Sequence, residues 1–286
     1  MDLIQAIILG LVQGLTEFLP ISSSGHLFLV PEVMGWKDAG AGFTAVIQIG
    51  TLLAVLLYFR KDLSQTLSVW IRSFSDQELR RQSEARLAWA IVLGTIPIIV
   101  AGLAFQDAIE TTFRNPFVVA GALIFFALVL ALAERVGKQT RTAEDFQPKD
   151  GLIMGLWQAL ALVPGSSRSG CTITGGLFSN FDRAAAARAS FLLSIPAITL
   201  SGVYKLIQER DVLLADGATT TIVATLVAFL SGYWAIAFLM KFLQTRSTMV
   251  FVIYRLVLGA IIIALALQGY FAHDPAPVAV SSHVVL

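Results

Sequence analysis

Two short polar segments interrupt an otherwise apolar chain, and they carry the side chains best suited to chemistry. The first covers residues 13–26 (QGLTEFLPISSSGH) and the second covers residues 164–170 (PGSSRSG). Ionisable side chains in apolar surroundings are energetically costly, and they usually mark functional sites. Glu17, His26 and Arg168 are therefore the core of a candidate site.

The composition of both segments favours an anion as ligand. Serine is a preferred helix N-cap, and the free N–H groups of a helix start attract negative charge. The guanidinium of Arg168 suits the planar, bidentate recognition of phosphate oxygens. If the two segments meet, they enclose a site for a phosphate or a diphosphate. The candidate phosphate-binding residues are Ser22, Ser24, Gly25, Gly165, Ser166, Ser167, Ser169 and Gly170.

The same groups could cut a diphosphate. Arg168 and the backbone N–H groups would stabilise charge on the transferred phosphoryl group. Ser23 or a water molecule would attack, and His26, which lies within one helical turn of Ser23, would move the proton. Glu17, together with Gln13 one turn earlier, could hold a divalent cation, Mg²⁺ or Ca²⁺, on the diphosphate.

Each of these residues also has a structural explanation. The serines could simply cap a half-helix, and His26 could be a hydrogen-bonded interior histidine. Glu17 could be the ion-pair partner of Arg168 rather than a metal ligand, because buried charges need partners. Arg255 could line the site, extend its charge to the membrane surface or pair structurally. Gln48 and Arg255 are added as supporting residues of the candidate site.

Composition places the chain in a membrane. Of its 286 residues, 56% are hydrophobic and only 14% are charged, against about 25% charged residues in soluble domains. The net charge of +1 leaves no basic field for nucleic acid. The single cysteine, Cys171, excludes an internal disulfide. The first residues do not have the pattern of a cleaved signal peptide.

Six apolar runs are long enough to cross a bilayer, which takes roughly 20 helical residues. They are Phe43–Phe59, Leu87–Phe105, Asn115–Ala133, Ala189–Tyr204, Gly217–Met240 and Ser247–His273. The sequence therefore predicts an all-α integral membrane protein with six full transmembrane helices.

Two further apolar segments are short and broken. Leu3–Thr16 and Gly151–Val163 each run into a proline and a serine-rich turn, and apolar sequence resumes at Leu27–Pro31 and Cys171–Phe181. Proline disfavours helix in the residue before it and removes a backbone donor. Non-helical backbone at membrane depth must be buried in protein or line a wet cavity. These segments are predicted to form two re-entrant broken helix pairs.

The two broken segments resemble each other, which predicts an internal repeat. Gly10–Leu15 aligns with Gly155–Leu160 and, after a gap, Pro20–Ser23 aligns with Pro164–Ser167. Each segment precedes three predicted spans, and an odd number of spans inverts the second copy. We expect one membrane domain, residues 1–273, made of repeats 1–137 and 138–273, with a disordered tail at 274–286. Broken helices paired in this way point to a site near the midplane.

The distribution of lysine and arginine predicts the orientation. Arg60–Arg86 and Arg135–Lys149 hold ten of the twenty basic residues and are expected to be cytoplasmic loops. The linkers Gln106–Arg114 and Ile207–Asp216 are then expected outside, as are both termini.

The motifs closely resemble the two signatures of the bacterial undecaprenyl-diphosphate phosphatases, the bacitracin-resistance family. Residues 13–26 resemble the first signature and residues 164–170 the second, within a resemblance that extends from Leu3 to about Phe271. It implies an inner-membrane hydrolase that converts undecaprenyl diphosphate to undecaprenyl phosphate, the lipid carrier of peptidoglycan synthesis. Ser23, His26 and Arg168 match family site residues, and the pocket is expected to open to the outer face.

Two aspects of this interpretation stay open at the level of sequence. The family's first signature begins with Glu or Gln, and this chain has Gln13, so a metal site with two carboxylates is in doubt. The expected partners are a polyprenyl diphosphate lipid and the bilayer, and a homodimer is one option. The alternative function is a carrier that flips a polyprenyl phosphate with the same anion site, because broken helices in inverted repeats are common in transporters.

Overall fold

A computed structural model describes residues 1–37, 40–105, 115–215 and 218–271. The predicted linker at 106–114 and the tail at 274–286 lie outside these residues. In chain order the helices are α1 (Leu3–Phe18), α2 (Ser23–Val33), α3 (Gly40–Tyr58), α4 (Arg60–Arg72), α5 (Ser83–Ala104), α6 (Pro116–Val136), α7 (Pro148–Leu160), α8 (Arg168–Phe178), α9 (Arg183–Ala215), α10 (Ala218–Phe242) and α11 (Met249–Leu267). The predicted all-α class is confirmed.

Five of the helices are long and apolar enough to cross a membrane by themselves, among the residues that were described. They are α5, α6, the Arg183–Tyr204 part of α9, α10 and α11. A sixth span is counted if α3 and α4, which are bent by 74° at their junction, are taken together. The protein is therefore a multi-pass membrane protein, and the six predicted spans have counterparts in it.

The predicted linker at Ile207–Asp216 is wrong up to Ala215, because α9 continues through it. The prediction of a loop from Arg60 to Arg86 is wrong in its first half, where the chain forms α4. Leu63, Leu67 and Ile71 recur at four-residue spacing in this segment, which is a helical period. A count of basic residues does not detect amphipathic helices, because such helices carry charge on one face and apolar groups on the other.

Both broken segments adopt the predicted sequence of helix, break and half-helix. α1 ends at Phe18, and α2 begins at Ser23 after a short turn that contains Pro20. α7 ends at Leu160, and α8 begins at Arg168 after a turn that contains Gly165, whose φ is +92°.

The two half-helices begin in the same way. Ser22 (φ +73°) caps α2 and Ser167 (φ +70°) caps α8, and each serine hydroxyl accepts a hydrogen bond from a glycine N–H three residues later. The caps lie 145 residues apart, as do Gly10 and Gly155. The alignment of Ser22 with Ser166 is therefore wrong by one residue. The sequence alignment matches Pro20 with Pro164. In the structure, the position that corresponds to Pro20 is Gly165. The inverted orientation of the two repeats stays a prediction.

Each broken segment packs tightly against a full-length helix from the other predicted repeat. A Cβ atom on Gly10 of α1 would stand 2.4 Å from the carbonyl oxygen of Ala224 in α10. A Cβ atom on Gly155 of α7 would stand 2.2 Å from the carbonyl oxygen of Gly94 in α5. Small residues let helix backbones approach closely in membranes. This close approach fixes the position of the polar turns that follow α1 and α7.

We expect Gly155→Ala to destabilise the protein by about 1–3 kcal/mol, because the new methyl group would meet backbone atoms that cannot move aside locally. Gly121→Ala in α6 is the matched control, since a Cβ atom there meets nothing within 4 Å. Alanine is the better helix former, so the control should be neutral or more stable by up to about 1 kcal/mol. The measurement is thermal unfolding in detergent. Equal melting temperatures for both variants would contradict the close packing.

Candidate active site

The site is organised around one buried carboxylate, that of Glu17, which accepts four hydrogen bonds. Its Oε2 atom accepts from Gln13 Nε2 at 3.1 Å and from Ser23 Oγ at 2.8 Å. Its Oε1 atom accepts from Gln48 Nε2 at 3.3 Å and from Arg168 Nη2 at 2.9 Å. An ionised carboxylate has about four acceptor positions, so these donors occupy all of them.

The four donors come from four different helices, which explains why the site depends on the whole fold. Gln13 belongs to α1 itself, Ser23 to α2, Gln48 to α3 and Arg168 to α8. The helical spacing of Gln13 and Glu17 could be seen in the sequence. The contribution of Gln48 was predicted only as support, and the structure places its amide directly on the carboxylate.

The two polar turns meet, as the sequence predicted. The N–H of Gly165 donates to Ser24 Oγ at 3.2 Å, and Ser169 Oγ donates to the carbonyl of Leu19 at 3.0 Å. Together with the pair of Arg168 and Glu17 across 151 residues, these bonds place both turns in one site.

Several of the predicted phosphate ligands are occupied by structural hydrogen bonds. The hydroxyls of Ser22 and Ser167 accept hydrogen bonds from the N–H groups of Gly25 and Gly170, so the two serines serve as helix caps and the two glycine N–H groups already have an acceptor. Ser166 Oγ donates to the carbonyl of Val163.

Other donors remain for a phosphate. The first-turn N–H groups at Ser23, Ser24, Arg168 and Ser169 have no acceptor inside their own helices. Two helix N-termini thus remain available to an anion.

Two of the three guanidinium nitrogens of Arg168 remain available to a ligand. Nη2 binds Glu17, whereas Nε and Nη1 are buried and have no hydrogen-bond partner among the described residues. Buried donors without a partner cost free energy. A bound phosphate oxygen would satisfy them.

His26 is not beside Ser23 as a hydrogen-bond partner, contrary to the expected nucleophile and base pair. Its Nδ1 lies 2.7 Å from the carbonyl oxygen of Ser22, and its Nε2 lies 2.6 Å from the hydroxyl of Tyr254. The Ser23 hydroxyl binds Glu17 instead. Sequence reasoning missed Tyr254, because 228 residues separate it from His26 and no local pattern links the two.

Arg255 lies behind the second turn and is fully buried. Its Nη2 donates to the carbonyl oxygens of Ser166 at 2.8 Å and Gly165 at 3.2 Å. Of the three roles left open by the sequence, these contacts exclude extension to the membrane surface and favour structural support of the second turn.

The donor set does not fit a divalent cation held by Glu17 and Gln13. Every acceptor position of the Glu17 carboxylate faces a donor, and Gln13 presents its amide nitrogen to it. Among the described residues, no group of three or more His, Cys, Asp or Glu side chains could hold a metal.

The comparisons with known proteins all indicate the same family. The family model for bacitracin resistance protein BacA matches residues 6–261. The undecaprenyl-diphosphatase of Myxococcus xanthus (strain DK1622) is 51% identical over 269 residues, which cover 94% of this chain and 91% of that protein. The undecaprenyl-diphosphatase of Thermobifida fusca (strain YX) is 53% identical over 271 residues, covering 94% and 92%. That of Pelodictyon phaeoclathratiforme (strain DSM 5477 / BU-1) is 49% identical over 278 residues, covering 94% and 99%.

A double-mutant cycle should show strong coupling between Glu17 and Arg168. Glu17→Gln or Arg168→Gln alone leaves a buried charge without its partner, which is expected to cost about 3–5 kcal/mol of unfolding free energy. The double variant removes both charges and should cost clearly less than the sum. The control cycle is Asp62 with Arg188, a pair 3.4 Å apart that is more exposed. Its coupling should stay below about 1 kcal/mol, and equal couplings would refute the special role of the buried pair.

Without substrate, Glu17 should hold no divalent cation, because hydrogen-bond donors already occupy its oxygens. Isothermal titration with Ca²⁺ is therefore expected to give the same result for the wild type and for Glu17→Gln. Stoichiometric binding that disappears in Glu17→Gln would show that the carboxylate is a metal ligand after all.

Proposed function

The chain belongs to the bacitracin resistance protein BacA family, and we propose that the cluster around Glu17 and Arg168 is its active site. The protein is an undecaprenyl-diphosphatase, a hydrolase that acts on the diphosphate bond of a polyprenyl lipid. One observation carries the assignment of the site. The Ser23 hydroxyl donates to Glu17 at 2.8 Å, beside Arg168, two of whose buried donor groups have no partner in the described part of the chain.

The diphosphate binds where the two turns meet. Nε and Nη1 of Arg168 donate to oxygens of the terminal phosphate, and the first-turn N–H groups of α2 and α8 contribute positive ends of helix dipoles. These donors stabilise the charge of the transferred phosphoryl group. The polyprenyl chain lies among the apolar faces of the surrounding helices.

Ser23 is the nucleophile in this mechanism, and Glu17 is its general base. Ser23 Oγ attacks the terminal phosphorus in line as its proton passes to Glu17 Oε2. The bond between the terminal phosphorus and the bridging oxygen breaks, and undecaprenyl phosphate leaves. A water molecule then attacks the phosphoserine. As the bond between phosphorus and Ser23 Oγ breaks, Glu17 returns to Ser23 the proton that it took in the first step. The proton lost by the attacking water passes to His26, which releases it to solvent, so that phosphate and the free enzyme are regenerated.

The ion pair links proton transfer to phosphate binding. When Glu17 takes the proton of Ser23 it loses its negative charge, and its attraction for Arg168 falls. The guanidinium is then free to turn fully to the phosphoryl group, where negative charge is concentrated. Arg168 thus moves its interaction from the base to the transition state.

Bacterial relatives place a protein of this kind in the inner membrane. Within that membrane we propose that the site opens to the outer face, because the two segments with ten of the twenty lysine and arginine residues, Arg60–Arg86 and Arg135–Lys149, are expected on the opposite side. His26, the predicted proton carrier, lies in the first turn of α2 as a second titratable group, with Tyr254 rather than Ser23 as its partner.

Ser23→Ala should reduce phosphate release from undecaprenyl diphosphate by a factor on the order of 10³, because it removes the nucleophile. Glu17→Gln should lower kcat by at least about 10², the range of general base catalysis. Ser64→Ala is the matched control. Its hydroxyl is exposed and donates to the carbonyl of Lys61, so activity should be unchanged. The measurement is release of inorganic phosphate by purified protein in nanodiscs.

Rapid quenching with substrate labelled at the terminal phosphate should trap label on the wild-type protein and none on Ser23→Ala. Full activity of Ser23→Ala would overturn the assignment of the nucleophile. Absence of phosphate release by folded wild-type protein would contradict the enzyme itself and favour the carrier alternative.

A further inference from the structure

We propose that Tyr254 is a positioning residue for the reaction, because its hydroxyl binds the basic nitrogen of His26, Nε2, and fixes the orientation of the imidazole. The inference rests on the proposed function of the site. It adds a residue from α11, a helix that lies outside both signature segments.

The contact between the two side chains is close and well defined. The hydroxyl oxygen of Tyr254 lies 2.6 Å from His26 Nε2. The two rings are also stacked, with centroids 5.6 Å apart and planes only 7° from parallel. The opposite ring nitrogen, Nδ1, lies 2.7 Å from the carbonyl oxygen of Ser22. His26 is therefore held at both ring nitrogens.

These contacts select one form of the neutral imidazole. A carbonyl oxygen only accepts hydrogen bonds, so Nδ1 must carry the proton that points to Ser22. Nε2 then has the lone pair and accepts from the Tyr254 hydroxyl. Hydrogen bonds of this kind are what normally decide between the two histidine tautomers. Nε2 is consequently the basic atom of His26, and its direction is set by α11.

This arrangement keeps the two proton-handling groups of the site apart. Glu17 is surrounded by Ser23, Arg168 and two amides, whereas His26 binds Ser22 and Tyr254. Tyr254 is partly exposed, and His26 is buried. The Tyr254 hydroxyl therefore hydrogen-bonds the buried His26 imidazole from the exposed side of the site, and the Ser23 hydroxyl is not among its hydrogen-bond partners.

Arg255, the next residue on α11, also binds the site. Arg255 holds the carbonyl oxygens of Gly165 and Ser166 in the second turn, and Tyr254 holds His26 in the first half-helix. Two consecutive residues of one helix thus bind both halves of the site, so the position of α11 sets the position of His26 relative to the second turn.

Tyr254→Phe keeps the aromatic ring and removes only the hydroxyl. We expect kcat for phosphate release to fall about tenfold, which corresponds to one well-placed hydrogen bond. KM should stay within about twofold, because the phosphate-binding donors are on α2 and α8. The matched control is Tyr270→Phe. The Tyr270 hydroxyl donates to the carbonyl of Val33 at the other end of α2, and its loss should leave kcat and KM unchanged.

The tautomer can be observed directly by ¹⁵N NMR of the histidine rings. The chain has three histidines, so replacing His273 and His283 with glutamine leaves the His26 signals alone. In the wild-type background Nδ1 should give a protonated signal and Nε2 an unprotonated one. In Tyr254→Phe the Nε2 signal should move towards that of a free imidazole nitrogen, whereas Nδ1, which still faces the Ser22 carbonyl, should stay protonated.

The two readouts separate this inference from the proposed function. If wild-type protein releases no phosphate, the proposed function fails, but the NMR signature still reports on Tyr254 and His26. If Tyr254→Phe leaves both kcat and the His26 spectrum unchanged, the positioning role is refuted. An equal loss of kcat in Tyr270→Phe would refute it as well, because the effect would then come from packing around α2.

Discussion

The ion pair between Glu17 and Arg168 is the interaction on which the site depends. A charge buried among apolar helices is tolerated only when it is paired and hydrogen-bonded, and this pair joins residues 151 positions apart in the chain. It therefore needs both broken helices to end at the same depth. The glycine contacts of α1 with α10 and of α7 with α5 supply that condition, since they set how far each broken segment enters the helix bundle.

Local rules predicted a large part of this arrangement. Prolines and serines mark both breaks. The four-residue spacing puts Gln13 and Glu17 on the same face of α1, and an arginine inside the membrane needs an acidic partner. These features act within a few residues or through charge alone, so one sequence is enough to detect them. The direct contact of Gln48 with Glu17 and the pairing of His26 with Tyr254 depend on how α3 and α11 pack, and no pattern within either helix encodes the partner.

The same limit explains the misplaced repeat alignment. Matching prolines is a sequence criterion, whereas the backbone repeats the cap geometry, with Ser22 and Ser167 in the same left-handed conformation. In that register Gln158 corresponds to Gln13, and Leu162 corresponds to Glu17. The side-chain amide of Gln158 has no hydrogen-bond partner among the described residues, because its half of the protein lacks the carboxylate that binds Gln13.

The shared cap has a consequence for how such a protein could have arisen. Ser23 and Arg168 each directly follow the cap serine, so they are the same position in two copies of one motif. A symmetric dimer of identical half-length chains would carry either two serines or two arginines there, never one of each. A site with one serine and one arginine at this position therefore requires two non-identical copies of the motif, which one chain that carries both copies supplies.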